Sequence, residues 1–121
     1  MFDHVTLKVS DFRKSLAFYR AVLAPLGFEE HFLDEAAKSV GFGPKGKPRL
    51  WLAEGTPRSN VHIGFESRDR AGVSRFHGRA LETGGRDNGA PGLRPDYGEA
   101  YFAAFVLDPD GNNVEAVTFG K

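Results

Sequence analysis

Apolar and polar residues alternate along Asp3-His4-Val5-Thr6-Leu7, and the same alternation returns in Val61-His62-Ile63-Gly64-Phe65 at an offset of 58. A period of two predicts a half-buried strand at each place. The repeat extends further. Ser10-Asp11 parallels Ser67-Arg68-Asp69, Phe18-Tyr19 lies over Phe76-His77, and Gly27 lies over Gly85. Between these marks the period changes. Phe12, Leu16, Tyr19 and Leu23 fall at helical spacing, with Ser10 or Asp11 as the cap and Pro25 and Gly27 as the stop. A second helix is predicted from about Arg70 to Glu82, with the stripe Val73, Phe76, Ala80 and Leu81, Asp69 as cap and Gly84-Gly85 as stop.

Shorter strand candidates follow each helix. They are Glu29 to Leu33, Lys38 to Phe42 and Arg49 to Ala53 in the first half, and Tyr101 to Leu107 and Asn113 to Phe119 in the second. A further strand near Arg86 to Asn88 is weakly marked, and the proline- and glycine-rich stretch from Gly89 to Glu99 reads as an irregular loop. The expectation is an α+β fold of two βαβββ modules, forming a cup-shaped mixed sheet with the helices on its outer face. Residues 1–121 make one domain, with modules at about 1–58 and 59–121 and a joint at Gly55 to Ser59.

Strand parity then sorts the faces. Val5, Leu7 and Val9 oppose His4, Thr6 and Lys8. Val61, Ile63 and Phe65 oppose His62, Gly64 and Glu66, and Val114 and Ala116 oppose Asn113, Glu115 and Val117. With the apolar faces on the helices, His4, His62 and Glu115 share the other side, and the two histidines are equivalent under the repeat. Two imidazoles and a carboxylate suit zinc, nickel, manganese or ferrous iron. A lone histidine on a strand is more often a surface or core residue; the pairing by repeat is what favours metal.

Composition narrows the classes. Sixteen basic and sixteen acidic residues cancel, so no nucleic-acid partner is expected. The absence of cysteine removes disulfides, thiolate ligands and a thiol nucleophile, and is compatible with a cytoplasmic protein. No signal peptide is read at the N-terminus, and the longest apolar run, Ala100 to Leu107, is too short for a membrane helix.

The residues together resemble the vicinal oxygen chelate superfamily of glyoxalase I, fosfomycin-resistance proteins, extradiol dioxygenases and bleomycin-resistance proteins. The pieces are Asp3-His4-Val5; Ser10-Asp11 with Ser15, Phe18 and Tyr19; Leu26-Gly27-Phe28; Val61-His62-Ile63; and the run Phe105 to Glu115. Within that run Asp108-Pro109-Asp110-Gly111 is the chemistry of a tight turn. The resemblance covers nearly the whole chain. It implies a metal held by His4, His62 and Glu115, a small-molecule substrate, and a homodimer whose cup is in some relatives completed by the partner. Glyoxalase I-like members add a fourth ligand from the last strand of the first half. Aligning Gly46 with Gly111, an offset of 65, puts Leu50 there, and a slip of two puts Leu52 there; neither binds metal. Glu54 has the parity of Leu50 and Leu52 but lies at the strand end.

Other signals are weaker. Gly41-Phe42-Gly43-Pro44-Lys45-Gly46 matches a dinucleotide fingerprint only as letters; no helix follows, and it reads as a hairpin. Arg94, Asp96, Tyr97 and Tyr101 flank the irregular loop, where Arg94 suits an anionic group and the tyrosines suit hydroxyl or stacking contacts. Trp51 becomes a cavity wall if the face assignment slips by one residue. His31 and His77 have no evident partner, and Arg68-Asp69-Arg70 reads as a solvated helix start. The leading functional reading is a metal-dependent lyase, isomerase or dioxygenase that binds a substrate through neighbouring oxygens, with Glu115 or a loop residue as the base. The alternative is a metal-free, drug-binding protein in which Trp51, Tyr101 and Phe102 line an apolar cavity.

Overall fold

A computed structural model of the chain describes residues 1–56 and 60–120. The first module runs β1 (Val5–Val9), α1 (Phe12–Leu23), β2 (Glu29–Asp34), β3 (Ser39–Gly43) and β4 (Leu50–Glu54). The second runs β5 (His62–Glu66), α2 (Arg70–Glu82), β6 (Arg86–Leu93), β7 (Phe102–Leu107) and β8 (Asn113–Thr118). Each module is βαβββ, as the repeat predicts. The sheets are mixed, in the orders β1-β4-β3-β2 and β5-β8-β7-β6, with β1 parallel to β4, β5 parallel to β8 and the other neighbours antiparallel. Of the joint predicted at Gly55 to Ser59, residues 57–59 lie outside the described residues.

The helices form where the periodicity puts them, and their ends have physical causes. Asp11 and Asp69 accept hydrogen bonds from the backbone N–H of Lys14 and Gly72, satisfying donors that the first turn leaves unpaired. A 3-10 turn over Ala24–Leu26 closes α1, and Gly27 then turns the chain at φ 87°, a left-handed conformation suited to glycine. Phe12, Leu16, Tyr19 and Leu23 are all buried, joined by Ser15, Phe18 and Val22. In α2 the stripe is Val73, Phe76 and Ala80, but Leu81 is 47% exposed. Gly72 is buried instead, against Ser67, Asp69 and the Pro25 carbonyl of the 3-10 turn.

The loop expected from Gly89 to Glu99 is partly a strand. Positions 89–93 extend β6 and pair with β7 through two register shifts, between Asp87 and Gly89 and between Gly89 and Gly92. Bulges and glycines hide such a strand from any test of period two. Leu7, Leu50, Leu52, Val40 and Phe42 of the first sheet and Val114, Ala116, Ala104 and Val106 of the second form one core with the two helices. The opposite face of each sheet carries no helix, and that leaves it available for chemistry.

Candidate functional site

On the helix-free face of the second sheet, β8 brings Glu115 beside Gly64 of β5 and Phe105 of β7. Glu115 is only 3% exposed. A buried carboxylate is costly unless its oxygens are satisfied, and both are. Oε1 lies 2.8 Å from His62 Nε2, and Oε2 accepts a short hydrogen bond from the Tyr101 hydroxyl. Tyr101 is itself clasped edge-on by Tyr97, with ring centroids 5.4 Å apart, and by Phe119 at 5.3 Å. His62 stands edge-on to Phe105 at 6.0 Å, and the Arg94 guanidinium lies 5.4 Å from the centre of the same ring. Arg94 folds back to donate to the Ala90 carbonyl at 2.7 Å, between Gly89 and Gly92, where side chains would crowd it.

Five of the residues singled out from sequence, His62, Glu115, Arg94, Tyr97 and Tyr101, therefore share one surface. Phe105 was not singled out, although it alternates in phase with Tyr101 and faces Glu115 across the β7–β8 ladder. The Tyr101 hydroxyl is bonded to Glu115. Burial pushes its phenol up from 10.0 to about 12, and the hydrogen bond to Glu115 and the charge there push the same way. A phenol whose folded value is raised contributes its full stability below the unfolded value and loses it as pH climbs toward the folded one. Urea-unfolding stability should thus fall from pH 10 toward 12, less steeply in Tyr101→Phe. Equal slopes would disprove the coupling.

The remaining site residues lie elsewhere. His4 precedes β1, 55% exposed, with Nδ1 2.9 Å from the Asp3 carboxylate. Lys47 holds Asp3 from the other side at 2.5 Å, and these two contacts pull the Asp3 carboxyl down to about 2. Trp51 is on the helix-free face of the first sheet, opposite Thr6 and Gly41. Because Thr6 pairs with Trp51 as Gly64 pairs with Glu115, Trp51 is the repeat mate of Glu115. That corrects the alignment to Leu50 or Leu52, both of which face the core; the glycine turns used to align the two halves are offset from the strands that follow them. A tryptophan binds no metal, so the position of the extra ligand is closed either way. Glu54 accepts from Phe12 N at 3.0 Å and pairs with Lys38 at 3.1 Å, so it caps a helix rather than serving a site. Phe102 packs against the core, under the Arg70 guanidinium at 4.7 Å. His31 and His77 do have partners, the Pro44 carbonyl at 3.0 Å and Asp87 at 2.9 Å.

His62 Nε2 and Glu115 Oε1 converge as two donors of the kinds a borderline divalent cation takes. Within one chain the set stops there. Among the described residues no group of three or more His, Cys, Asp or Glu is placed to hold a metal.

Residues 1–116 match the family model described as Glyoxalase/Bleomycin resistance protein/Dioxygenase superfamily. The chain belongs to this superfamily. Solved structures share its fold. A glyoxalase/bleomycin resistance protein from Albidiferax ferrireducens T118 aligns at 24% identity over 98% of each chain, with a TM-score of 0.80. A glyoxalase/bleomycin resistance protein/dioxygenase family enzyme from Burkholderia phytofirmans PsJN aligns at 20% identity over 97% of each chain, TM-score 0.70. A lactoylglutathione lyase from Agrobacterium tumefaciens aligns at 23% identity over 98% of this chain and 92% of that one, TM-score 0.67. No curated protein matches the sequence. At these identities the likeness carries the fold and not the reaction. No helix among the described residues is long and apolar enough to cross a membrane.

Proposed function

We propose that this chain is a glyoxalase-like enzyme, a single domain of two modules, that binds a small substrate through neighbouring oxygens at a divalent metal. The observation that carries the reading is Glu115. It is a nearly fully buried carboxylate, on a face without a helix, whose two oxygens are aimed by His62 and Tyr101.

The third donor is His4 of a second copy. Three features of the single chain support this. First, Asp3 at Nδ1 keeps that nitrogen protonated and leaves Nε2 open, the arrangement that orients a ligating imidazole. Second, β1 and β5 are edge strands of their sheets, able to pair with another chain. Third, Phe2, Val5, Phe28, Ile63 and Phe65 line an open groove of about 430 Å³ beside those edges, and Phe2 and Val5 are 76% and 41% exposed. A homodimer covers this apolar surface and completes two equivalent sites.

A bound ion would polarise the substrate oxygens. The chain's own groups supply the rest. Tyr101 fixes Oε2 of Glu115, so Oε1, the oxygen shared with His62, is the one that would bind the ion or take a proton. The Arg94 guanidinium attracts anionic substrate, while Tyr97 and Phe105 wall the face.

The test is metal content by elemental mass spectrometry on four samples: wild type, His4→Ala, His62→Ala, and the two variants refolded together. The expectation is about one ion per chain in wild type and none in either variant alone. The mixture should regain a site, because one of the two sites in a mixed dimer has neither substitution. A mixture as empty as its parts would place both histidines in one chain. A wild type that takes up no zinc, nickel, manganese or ferrous iron would remove the metal from the proposal.

A further inference from the structure

Phe32 is unusual in two respects at once. Its backbone has φ 53°, in the left-handed region that bulky side chains avoid. Its ring is 73% exposed, so burial does not compensate that strain. What the conformation achieves is a position. The β2–β3 register breaks between His31 and Asp34, and the break turns Phe32 onto the sheet surface. There its ring lies parallel to Trp51, with planes 11° apart and centroids 6.3 Å apart. Trp51 in turn lies over Gly41 of the neighbouring strand, where an added Cβ would come within 3.2 Å of the indole. A strained residue, a strand irregularity and a glycine thus combine to hold two flat rings parallel on the face that carries no helix. Strain kept at an exposed site points to use rather than to stability.

We propose that Phe32 and Trp51 form a stacking platform for a planar aromatic ring of the ligand. This rests on the reading that the helix-free faces bind the ligand, and it adds the ligand class: aromatic, not aliphatic. Parallel rings with an open π face accept a further flat ring in offset contact, whereas a puckered ring of the same size touches at few atoms. Trp51 is the single tryptophan, so its fluorescence reports the platform directly.

The test titrates the metal-free protein with 2-naphthol and with its saturated analogue, decahydro-2-naphthol, following Trp51 emission. Saturable quenching by 2-naphthol alone is expected. Phe32→Gly should weaken it by roughly fivefold to tenfold, with a Tm equal to or above that of wild type, because glycine accepts the left-handed backbone. The titration is made without metal, so failure of the metal site leaves this result standing. Equal binding of the two naphthols overturns the proposal. So does a Phe32→Gly protein that melts earlier yet binds 2-naphthol unchanged.

Discussion

Asp108→Ala is expected to lower the unfolding free energy by about 3–5 kcal/mol, the range for leaving buried polar partners uncompensated. Asp108 is 4% exposed and accepts four hydrogen bonds. Oδ1 takes the backbone N–H of Asp110 and of Asn112, each at 2.9 Å. Oδ2 takes the Asn112 amide at 2.9 Å and the Tyr19 hydroxyl at 2.5 Å. Tyr19 is fully buried in α1, so the last bond ties the first module to the turn before β8. Burial and the neighbouring carboxylate push the Tyr19 phenol well above its usual value, which keeps it a donor. The same turn is tied a second time, where Asp110 accepts from the backbone and hydroxyl of Ser10. Removing the Asp108 carboxylate breaks four hydrogen bonds at once, two of them from backbone N–H groups. Tyr19→Phe removes one donor and should cost about 1–2 kcal/mol. Urea unfolding of both single variants and the double variant measures the coupling, expected at about 1–3 kcal/mol because the groups touch. A cost below about 1 kcal/mol for Asp108→Ala would show that the Tyr19–Asp108 bond does not hold the modules together.

Glu115→Ala should weaken divalent-metal binding by at least about a hundredfold, since losing a group that merely orients a ligand already costs ten to a hundredfold. The same change leaves the Tyr101 hydroxyl without its acceptor and returns its phenol toward 10.0. Titration of the metal-free variant with zinc and with manganese gives the first quantity, and alkaline phenolate absorbance gives the second. Glu115→Gln separates the two effects. The amide oxygen still accepts from Tyr101, but the anionic donor is gone, so stability should hold while metal affinity falls. Unchanged metal affinity in Glu115→Gln would mean that this carboxylate only fastens β7 to β8.

Much of this was legible in the residues because it is local. Alternation across Val5, Leu7 and Val9 and helical spacing from Phe12 to Leu23 depend only on neighbours a few positions apart, so the chain itself assigns the buried faces. Asp11, Asp69 and Gly27 mark helix ends for the same reason. The repeat relating His4 to His62 needs no coordinates. Even the common face of His62 and Glu115 follows from parity, once the apolar side is given to the helix.

What the tertiary structure decided concerns pairings across long separations. Trp51 is the mate of Glu115 because β1 pairs with β4 as β5 pairs with β8, and a parallel register is invisible to any local period. Tyr101 reaches Glu115 along the sheet face: the β7–β8 ladder sets Phe105 opposite Glu115 and Phe102 opposite Thr118, and the Tyr101 hydroxyl extends back to the carboxylate. The bulges in β6 arise in the same way, where the chain breaks its local alternation and still pairs with β7. Most consequential is the packing of the modules. The sequence shows His4 and His62 to be equivalent, but equivalence under a repeat says nothing of distance. The two helices pack together, Asp108 fastens Tyr19, and the chain presents His62 with Glu115 on one sheet while His4 stands at the edge of the other.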